Sequence, residues 1–336
     1  MSYMARKAAR RIPKLPQLLQ RKVYKTGQTR GADDDEVFQN RVSRKSTVLL
    51  QFNRLDVEGK PPEGTDEFEQ GFIVLIDPEV YFGTPDIEKV LADKGLKVGV
   101  NALVYYQTRA QWREHNPEKL GWQAAQNRTN PLGGEFVARV PGNTSLGGES
   151  DKVIEGFNHK GSKGAGIRVY EYADGKTLEH CTLQLEAMYW HCSDSVDVAV
   201  QNGMEPGQAE LRRTIILEEC VKHDLLDHAK LRAVRILNED NVTVCPLCLE
   251  PLSAQGFFSR MEQAEGREVL DLTITQVNLF HINELRVGVF NHRPYNLGWG
   301  HHHCNVVVKD SGIDKTLLWM RDVVERNKEA GLFPKE

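Results

Sequence analysis

The chain has 336 residues, 40% of them hydrophobic and 27% charged, with a net charge of −4; that length accommodates two domains and the composition is ordinary for a globular protein. No run of 18 apolar residues occurs, which excludes a membrane-spanning helix, and the mildly acidic total argues against indiscriminate nucleic-acid binding while permitting a focused basic patch. Six cysteines (Cys181, Cys192, Cys220, Cys245, Cys248 and Cys304) do not make a disulfide scaffold and point to a reducing compartment with a metal site.

In chain order, residues 1–31 carry nine Lys or Arg and no acid. This reads as a basic N-terminal arm, spanning 1–40, that neutralises phosphates. A solvated tail or an Arg-rich targeting peptide are the competing readings, and the apolar run of a secretory signal is missing. The acidic stretch 33–36 marks a turn. Residues 46–53 and 71–82 read as buried strands, with an acidic, Pro/Gly-rich loop at 56–70 between them. A short helix follows Pro85 over 85–94, and 97–107 reads as another strand. The Gly-, Asn-, Pro- and Ser-rich segment 129–166 reads as connections between strands, with Lys160, Lys163 and Arg168 placed where a loop could enter a groove. Strands are expected at 166–173 and 180–190, the latter because Leu183, Leu185 and Ala187 alternate. That alternation makes His180-Cys181 and His191-Cys192 ordinary strand residues rather than a second metal cluster. Residues 207–237 read as helical, with Val221, Leu225, Ala229 and Ile236 near one face, and 312–329 as a last helix with a stripe of Ile313, Leu317, Met320 and Val324 for core packing or a dimer contact. The expected fold class is α+β, or mixed α/β. A domain with a central sheet at 41–240 precedes a domain at 241–336 of separate character.

That last domain holds the residues with the clearest chemistry. Cys245-Pro246-Leu247-Cys248 presents two thiolates to one ion, and His301 with Cys304 repeats the same offset. Together they make a Cys3His frame suited to tetrahedral Zn2+, although His302 and His303 compete with His301. Otherwise the cysteines are small buried hydrophobes. Phosphodiester hydrolysis needs a base for water and a cation for the developing charge. Histidine suits the first task, and an oxygen ligand such as Asn suits Mg2+ for the second.

His281, then Asn296 fifteen residues later, then Asn305 nine after that, set within the cysteine frame, resemble the HNH nucleases of the ββα-metal superfamily over about 241–310. By that resemblance, 271–282 is a first strand ending in His281 and 300–309 opens a helix. His281 is the general base, Asn296 holds a loop over the strand through backbone hydrogen bonds, and Asn305 helps hold Mg2+. The sequence departs from the family at Phe280, where an acidic residue or histidine usually binds the metal. Asn278, Asn283, Glu284, His302 or His303 would then complete the site; alternatively His281 is itself the ligand, and His292 or another histidine is the base.

The whole chain resembles a narrower group, the type II restriction endonucleases of the BstXI type. The stretches that carry this are 22–34 (Lys-Val-Tyr-Lys-Thr-Gly-Gln-Thr-Arg-Gly-Ala-Asp-Asp), 38–48 (Phe-Gln-Asn-Arg-Val-Ser-Arg-Lys-Ser-Thr-Val), 160–172 (Lys-Gly-Ser-Lys-Gly-Ala-Gly-Ile-Arg-Val-Tyr-Glu-Tyr) and 298–305 (Gly-Trp-Gly-His-His-His-Cys-Asn). The resemblance implies a bacterial cytoplasmic homodimer, countered by a cognate DNA methyltransferase, that cuts both strands of double-stranded DNA at a palindromic or interrupted palindromic site. A single HNH site cuts one strand, so a symmetric target needs two sites about a twofold axis. Such an element approaches the minor groove, and cuts facing each other across it leave 3′ overhangs. Base reading then falls to the 41–240 domain, with Arg30, Gln39, Asn40, Arg41, Arg44, Lys45, Lys160, Lys163 and Arg168 as candidates. Three competing readings are a zinc-stabilised DNA-binding regulator, a nuclease with its site near Pro85-Asp86, and an HNH nuclease for modified DNA. The last would flip a base into a pocket of Tyr105, Tyr106, Trp112 and Trp122, although these read more simply as core.

Overall fold

The computed structural model describes residues 12–30, 41–140, 153–156, 166–259, 275–309 and 311–332. Gln39, Asn40, Lys160 and Lys163 lie outside them. Among the described residues the first elements are α1 (Gln17–Tyr24), β1 (Gln28–Arg30), β2 (Arg41–Ser43), β3 (Val48–Gln51), α2 (Leu55–Glu58), β4 (Phe72–Ile76), α3 (Pro78–Gly83), α4 (Ile87–Asp93), β5 (Ala102–Tyr106) and α5 (Arg109–Glu114). Then come β6 (Phe136–Val140), β7 (Val153–Glu155), β8 (Ile167–Arg168), α6 (Gly175–Trp190), α7 (Ser195–Gln201), α8 (Pro206–Lys222) and α9 (His228–Ala233). β9 (Val277–His281), β10 (Leu297–His301), α10 (His302–Val308) and α11 (Ile313–Glu329) end the chain. No helix is long and apolar enough to cross a membrane among the described residues. The chain is mixed α/β and divides into two units, one of Gly27–Gly175 with Leu285–Asn291, the other of Met1–Thr26, Lys176–Glu284 and His292–Glu336.

The first of these is a sheet unit, with strand order β7-β6-β5-β4-β3-β8. All neighbours are parallel except β6 and β7. Its strands are short unbroken apolar runs because both faces are covered. Val48, Leu50, Val74, Ile76 and Ala102 go to one face, and Leu49, Ile73, Leu75, Leu103 and Tyr105 to the other. Tyr105 and Tyr106 are buried in this interior, so they serve as core rather than lining a base pocket. The strand expected over 71–82 stops at Ile76, because Pro78 takes the first helical position of α3. The one expected at 97–107 starts only at Ala102, and that of 166–173 shrinks to two residues before a 3-10 turn at Val169–Glu171.

The other unit is a helical layer carrying a small antiparallel strand pair. Its centre corrects the reading of 180–190 as a strand: these residues lie in the 16-residue helix α6. The apparent alternation of Leu183, Leu185 and Ala187 masks a helical spacing in which Cys181, Leu185 and Met188 are buried together. Leu, Glu, Gln, Ala and Met dominate this run, and all are good helix formers. The helix expected over 207–237 is interrupted after Lys222, where Asp224 adopts a left-handed φ of 55° and Asp227 then caps α9 through Lys230 N. Residues 176–240, expected with the strands before them, thus share a unit with the cysteine pairs. On α11 only Ile313 of the expected stripe is fully buried, while Leu317 and Val324 are exposed.

Over the described residues 12–30 the basic segment is folded rather than an extended arm. Leu15, Leu19 and Val23 are buried in the helical unit's core, and Arg212 donates to Pro13 O. Arg212 also grips Glu186 with two bonds of 2.6 and 2.7 Å, and Trp190 Nε1 donates to the same carboxylate at 3.1 Å. Lys22 is withdrawn from solvent; its ammonium donates to Thr275 Oγ1 and to Val277 O (2.6 Å). Burial first, and Lys25 second, push its pKa down from 10.5 to about 7.

A testable consequence is a pH-dependent folding penalty. The unfolded chain holds the Lys22 proton up to about pH 10.5, whereas the folded chain releases it near pH 7. The cost of the charge is therefore complete below pH 7 and fades as pH rises toward 10.5. Relative to Lys22→Met, the wild-type chain should gain at least about 1 kcal/mol of stability between pH 7 and 9.5, measured by urea unfolding. A pH-independent difference between the two proteins would refute this.

Candidate active site and metal centre

β9 and β10 pair antiparallel with Leu297 opposite His281, Trp299 opposite Leu279 and His301 opposite Val277, and α10 starts directly after His301. Two glycines in β10 make this packing possible. A Cβ on Gly300 would come within 2.6 Å of the Phe280 ring, and one on Gly298 within 3.3 Å of Ile236. Between them Trp299 is 1% exposed and donates from Nε1 to Leu185 O on α6 at 2.7 Å. Phe280 is fully buried over Gly300; it is core, as its apolar character implies.

At one end of the strand pair, the Sγ atoms of Cys245, Cys248 and Cys304 and a ring nitrogen of His301 lie within 4.8 Å of one another. Cys248 Sγ is 3.4 Å from His301 Nδ1. The Cys245–Cys248 knuckle is closed by Leu249 N donating to Cys245 O at 2.8 Å, with Leu249 at a left-handed φ of 63°. Arg235 braces it from outside, donating to Pro246 O (2.7 Å) and Leu247 O (3.2 Å). His301 ends β10 and Cys304 lies on the first turn of α10, so one ion could tie the knuckle to that corner. Burial, then the neighbouring thiol of Cys245, pushes the Cys304 thiol up. Burial also raises Cys248 and lowers His301. Crowded thiols that resist ionisation alone are the donor set a divalent cation would stabilise as thiolates. The geometry selects His301 from its neighbours. His302 Nδ1 faces Asn278 Nδ2 at 3.2 Å, and His303 stacks on His301 with ring centroids 5.4 Å apart.

At the other end, His281 closes β9 and Asn296 immediately precedes β10. Asn296 is 4% exposed. Its Oδ1 accepts from Asn283 N and its Nδ2 donates to Asn283 O, both at 2.8 Å, while Ile282 N donates to Asn296 O at 2.9 Å. The side chain therefore clamps the chain just beyond His281. Asn305, one turn into α10, donates from Nδ2 to Leu279 O at 3.2 Å. That carbonyl lies on β9, two residues before His281.

Two residues that sequence reasoning did not connect complete this end. His281 Nε2 meets His292 Nδ1 at 3.2 Å, and His292 Nε2 meets Thr26 Oγ1 at 2.9 Å. His292 is 1% exposed and engaged at both ring nitrogens, which leaves it badly placed to take a proton from water. Nothing in the sequence spacing signals Thr26, which is 266 positions from His292. Of the other residues considered as metal ligands, Glu284 lies against the start of α11, where a Cβ on Gly312 would be 2.8 Å from its Oε2. Asn278 donates to Thr275 O at 2.7 Å.

In the sheet unit, Arg44 is buried and donates to Glu171 O at 3.1 Å. It serves the interior there, which corrects its expected place at a groove. Lys45 pairs with Glu69 at 3.4 Å, and Arg168 donates to Tyr170 OH at 2.9 Å. Arg30 and Arg41 are register partners in the β1–β2 ribbon.

A family model described as BstXI restriction endonuclease matches residues 21–302. Among solved structures, one described as the crystal structure of a type II restriction endonuclease is similar at 17% identity and a TM-score of 0.26; the match covers 48% of this chain and 58% of that one. No curated protein matches.

Asn296→Ala should remove both side-chain bonds to the Asn283 backbone and cost about 1–3 kcal/mol in chemical unfolding. Hydrogen exchange at the Asn283 amide should accelerate in parallel. Unchanged stability with unchanged exchange would mean that the loop is held by other contacts.

Proposed function

The chain belongs to the BstXI restriction endonuclease family, and from that premise we propose that it is a type II restriction endonuclease whose active site is of the HNH, or ββα-metal, kind, built on β9, β10 and α10. The observation that supports this reading is a strand–strand–helix unit in which His281 ends β9, Asn296 bonds the chain just beyond it and Asn305 bonds the Leu279 carbonyl, with a Cys3His ligand set gathered at the β10–α10 corner.

In this reading His281 accepts a proton from water, a task for which imidazole is suited near neutral pH. The resulting hydroxide forms the new bond to phosphorus, the P–O3′ bond breaks, and the departing oxygen takes a proton from solvent. Asn296 fixes the chain behind His281 so that the ring cannot swing away. Asn305 offers its Oδ1 as an oxygen ligand for Mg2+, which when bound would neutralise charge on the phosphate and the leaving oxygen. Cys245, Cys248, His301 and Cys304 fit a structural Zn2+ that joins the knuckle to the β10–α10 corner. A symmetric target is cut on both strands by a homodimer, the stagger is 3′, and the sheet unit reads bases, with Lys45, Arg168, Arg30, Arg41, Gln39, Asn40, Lys160 and Lys163 as the polar candidates. A cognate methyltransferase protects the host DNA in the cytoplasm.

Incubation with long unmethylated DNA and Mg2+ should give discrete ends sharing one symmetric site with 3′ overhangs. His281→Ala should slow cleavage about 10²–10⁴-fold with DNA binding retained. Discrete cutting that survives this substitution at full rate would move the active site elsewhere in the chain. Separately, the purified protein should carry one zinc per chain. Replacement by Co2+ should give a thiolate-to-metal absorption band, and Cys304→Ser should lose the metal and lower Tm. A metal-free, equally stable wild-type protein would remove the zinc assignment.

A further inference from the structure

The connection between β9 and β10 leaves the unit to which both strands belong. His281 and His292 are part of the helical unit, but Leu285–Asn291 between them are part of the sheet unit. The chain passes from the proposed base into the sheet unit and returns at His292. The ring of His292 then meets the His281 ring, with 3.2 Å between nitrogens.

Phe290 fastens this passage. Val289 N donates to Arg286 O at 3.1 Å, and Gly288 between them has a φ of 83°. Val287 and Val289 of this turn are exposed, whereas Phe290 packs against the sheet-unit core that holds Val48, Leu50 and Val74. Its ring meets Tyr172 edge-on, with centroids 6.4 Å apart. Tyr172 is a firm support: it is fully buried, sets its ring edge-on to Phe68 at 4.9 Å, and accepts at its hydroxyl from Glu69 N at 3.0 Å. It closes the short run that begins with β8 and contains Arg168, one of the polar candidates for base reading.

We propose that Phe290 is a specificity-determining positioning residue. It ties the segment that carries His292 to the core of the sheet unit, so that the placement of His281 follows the unit that reads the bases. The inference rests on the proposed reading, in which His281 is the base and the sheet unit reads DNA. A single residue, Asn291, separates the anchor from His292, and the backbone between them has few torsions to absorb a shift. A displacement of about 1 Å at a catalytic group costs up to about a hundredfold in rate. Cleavage is thereby withheld from DNA that is bound but not correctly read, which adds discrimination in the chemical step to that in affinity.

The test is single-turnover cleavage, measured beside the dissociation constant, on two DNA duplexes. One carries the site defined by the fragment ends, and the other has one base pair of that site changed. Phe290→Ala should slow cleavage of the first about tenfold, and should lower the ratio of the two rates about tenfold, with both affinities within about twofold of wild type. Phe290→Leu keeps an apolar anchor and should hold rate and ratio within about threefold of wild type. Insertion of two glycines between Phe290 and Asn291 leaves the anchor in place and slackens the link; it should reproduce the Phe290→Ala pattern, and it decides the matter alone if Phe290→Ala does not fold. The proposal is overturned if Phe290→Ala or the insertion keeps the wild-type rate and ratio, if the rate falls with the ratio unchanged, or if rate and affinity fall together. Wild-type cutting by His281→Ala would instead overturn the active-site reading on which the proposal rests, so the two failures are distinguishable.

Discussion

The register between β9 and β10 is the constraint on which the rest of this unit depends. Five residue pairs join the strands, with His281 opposite Leu297 at one end and His301 opposite Val277 at the other. Four steps of roughly 3.4 Å separate the ends, so the Cys3His cluster and His281 are held apart at opposite ends of one ribbon. A slip by one residue would turn every side chain to the other face. Trp299 blocks that slip: its indole is buried and bonded to α6, and the Gly298 and Gly300 that flank it admit Ile236 and Phe280 where side chains would collide.

The polar groups buried in the same unit orient rather than stabilise. A buried ion pair such as Glu186–Arg212 roughly offsets its own desolvation cost. Its two bonds nevertheless fix where α8 meets α6, and Arg212 reaches on to the Pro13 carbonyl. Lys22 is the costlier case, since burial, with the charge of Lys25 second, drives its pKa down to about 7. What it secures is geometry: the ammonium caps Val277 O at the first residue of β9. The N-terminal segment is thereby tied to the strand that ends in His281, four residues further on.

The local chemistry was legible in the sequence because it is written at short range. The Cys245–Cys248 spacing and the His301–Cys304 spacing each describe one turn, and a turn sets the ligand geometry without help from the rest of the fold. Phe280 read as core for a similar reason. Long-range geometry was not legible. The strand reading of 180–190 failed because α6 is buried on nearly every side in its second half, so period-2 and period-3.6 patterns overlap there. The basic segment reads as an arm when its charge is considered without Leu15, Leu19 and Val23, whose four-residue spacing marks the buried face of a helix. The link from Thr26 to His292 has no sequence signature, since only tertiary folding brings the two together.

Phe280 gives the proposed site its particular character. An acidic residue or histidine there would bring a second ligand to the metal, but the side chain at 280 points to the core over Gly300, and the strand supplies no charge beside His281. On the proposed reading, a hard cation that keeps most of its waters tolerates so few protein ligands, provided that His281 and Asn305 are rigid. Rigidity is what the surroundings supply: Asn296 closes the chain after His281, His292 bonds the His281 ring, and Asn305 is fixed to the Leu279 carbonyl through its amide nitrogen. In such an arrangement the position of the attacking water is set by hydrogen bonds to protein rather than by a crowded coordination sphere. The catalytic demand then passes from metal ligation to the support of a single histidine.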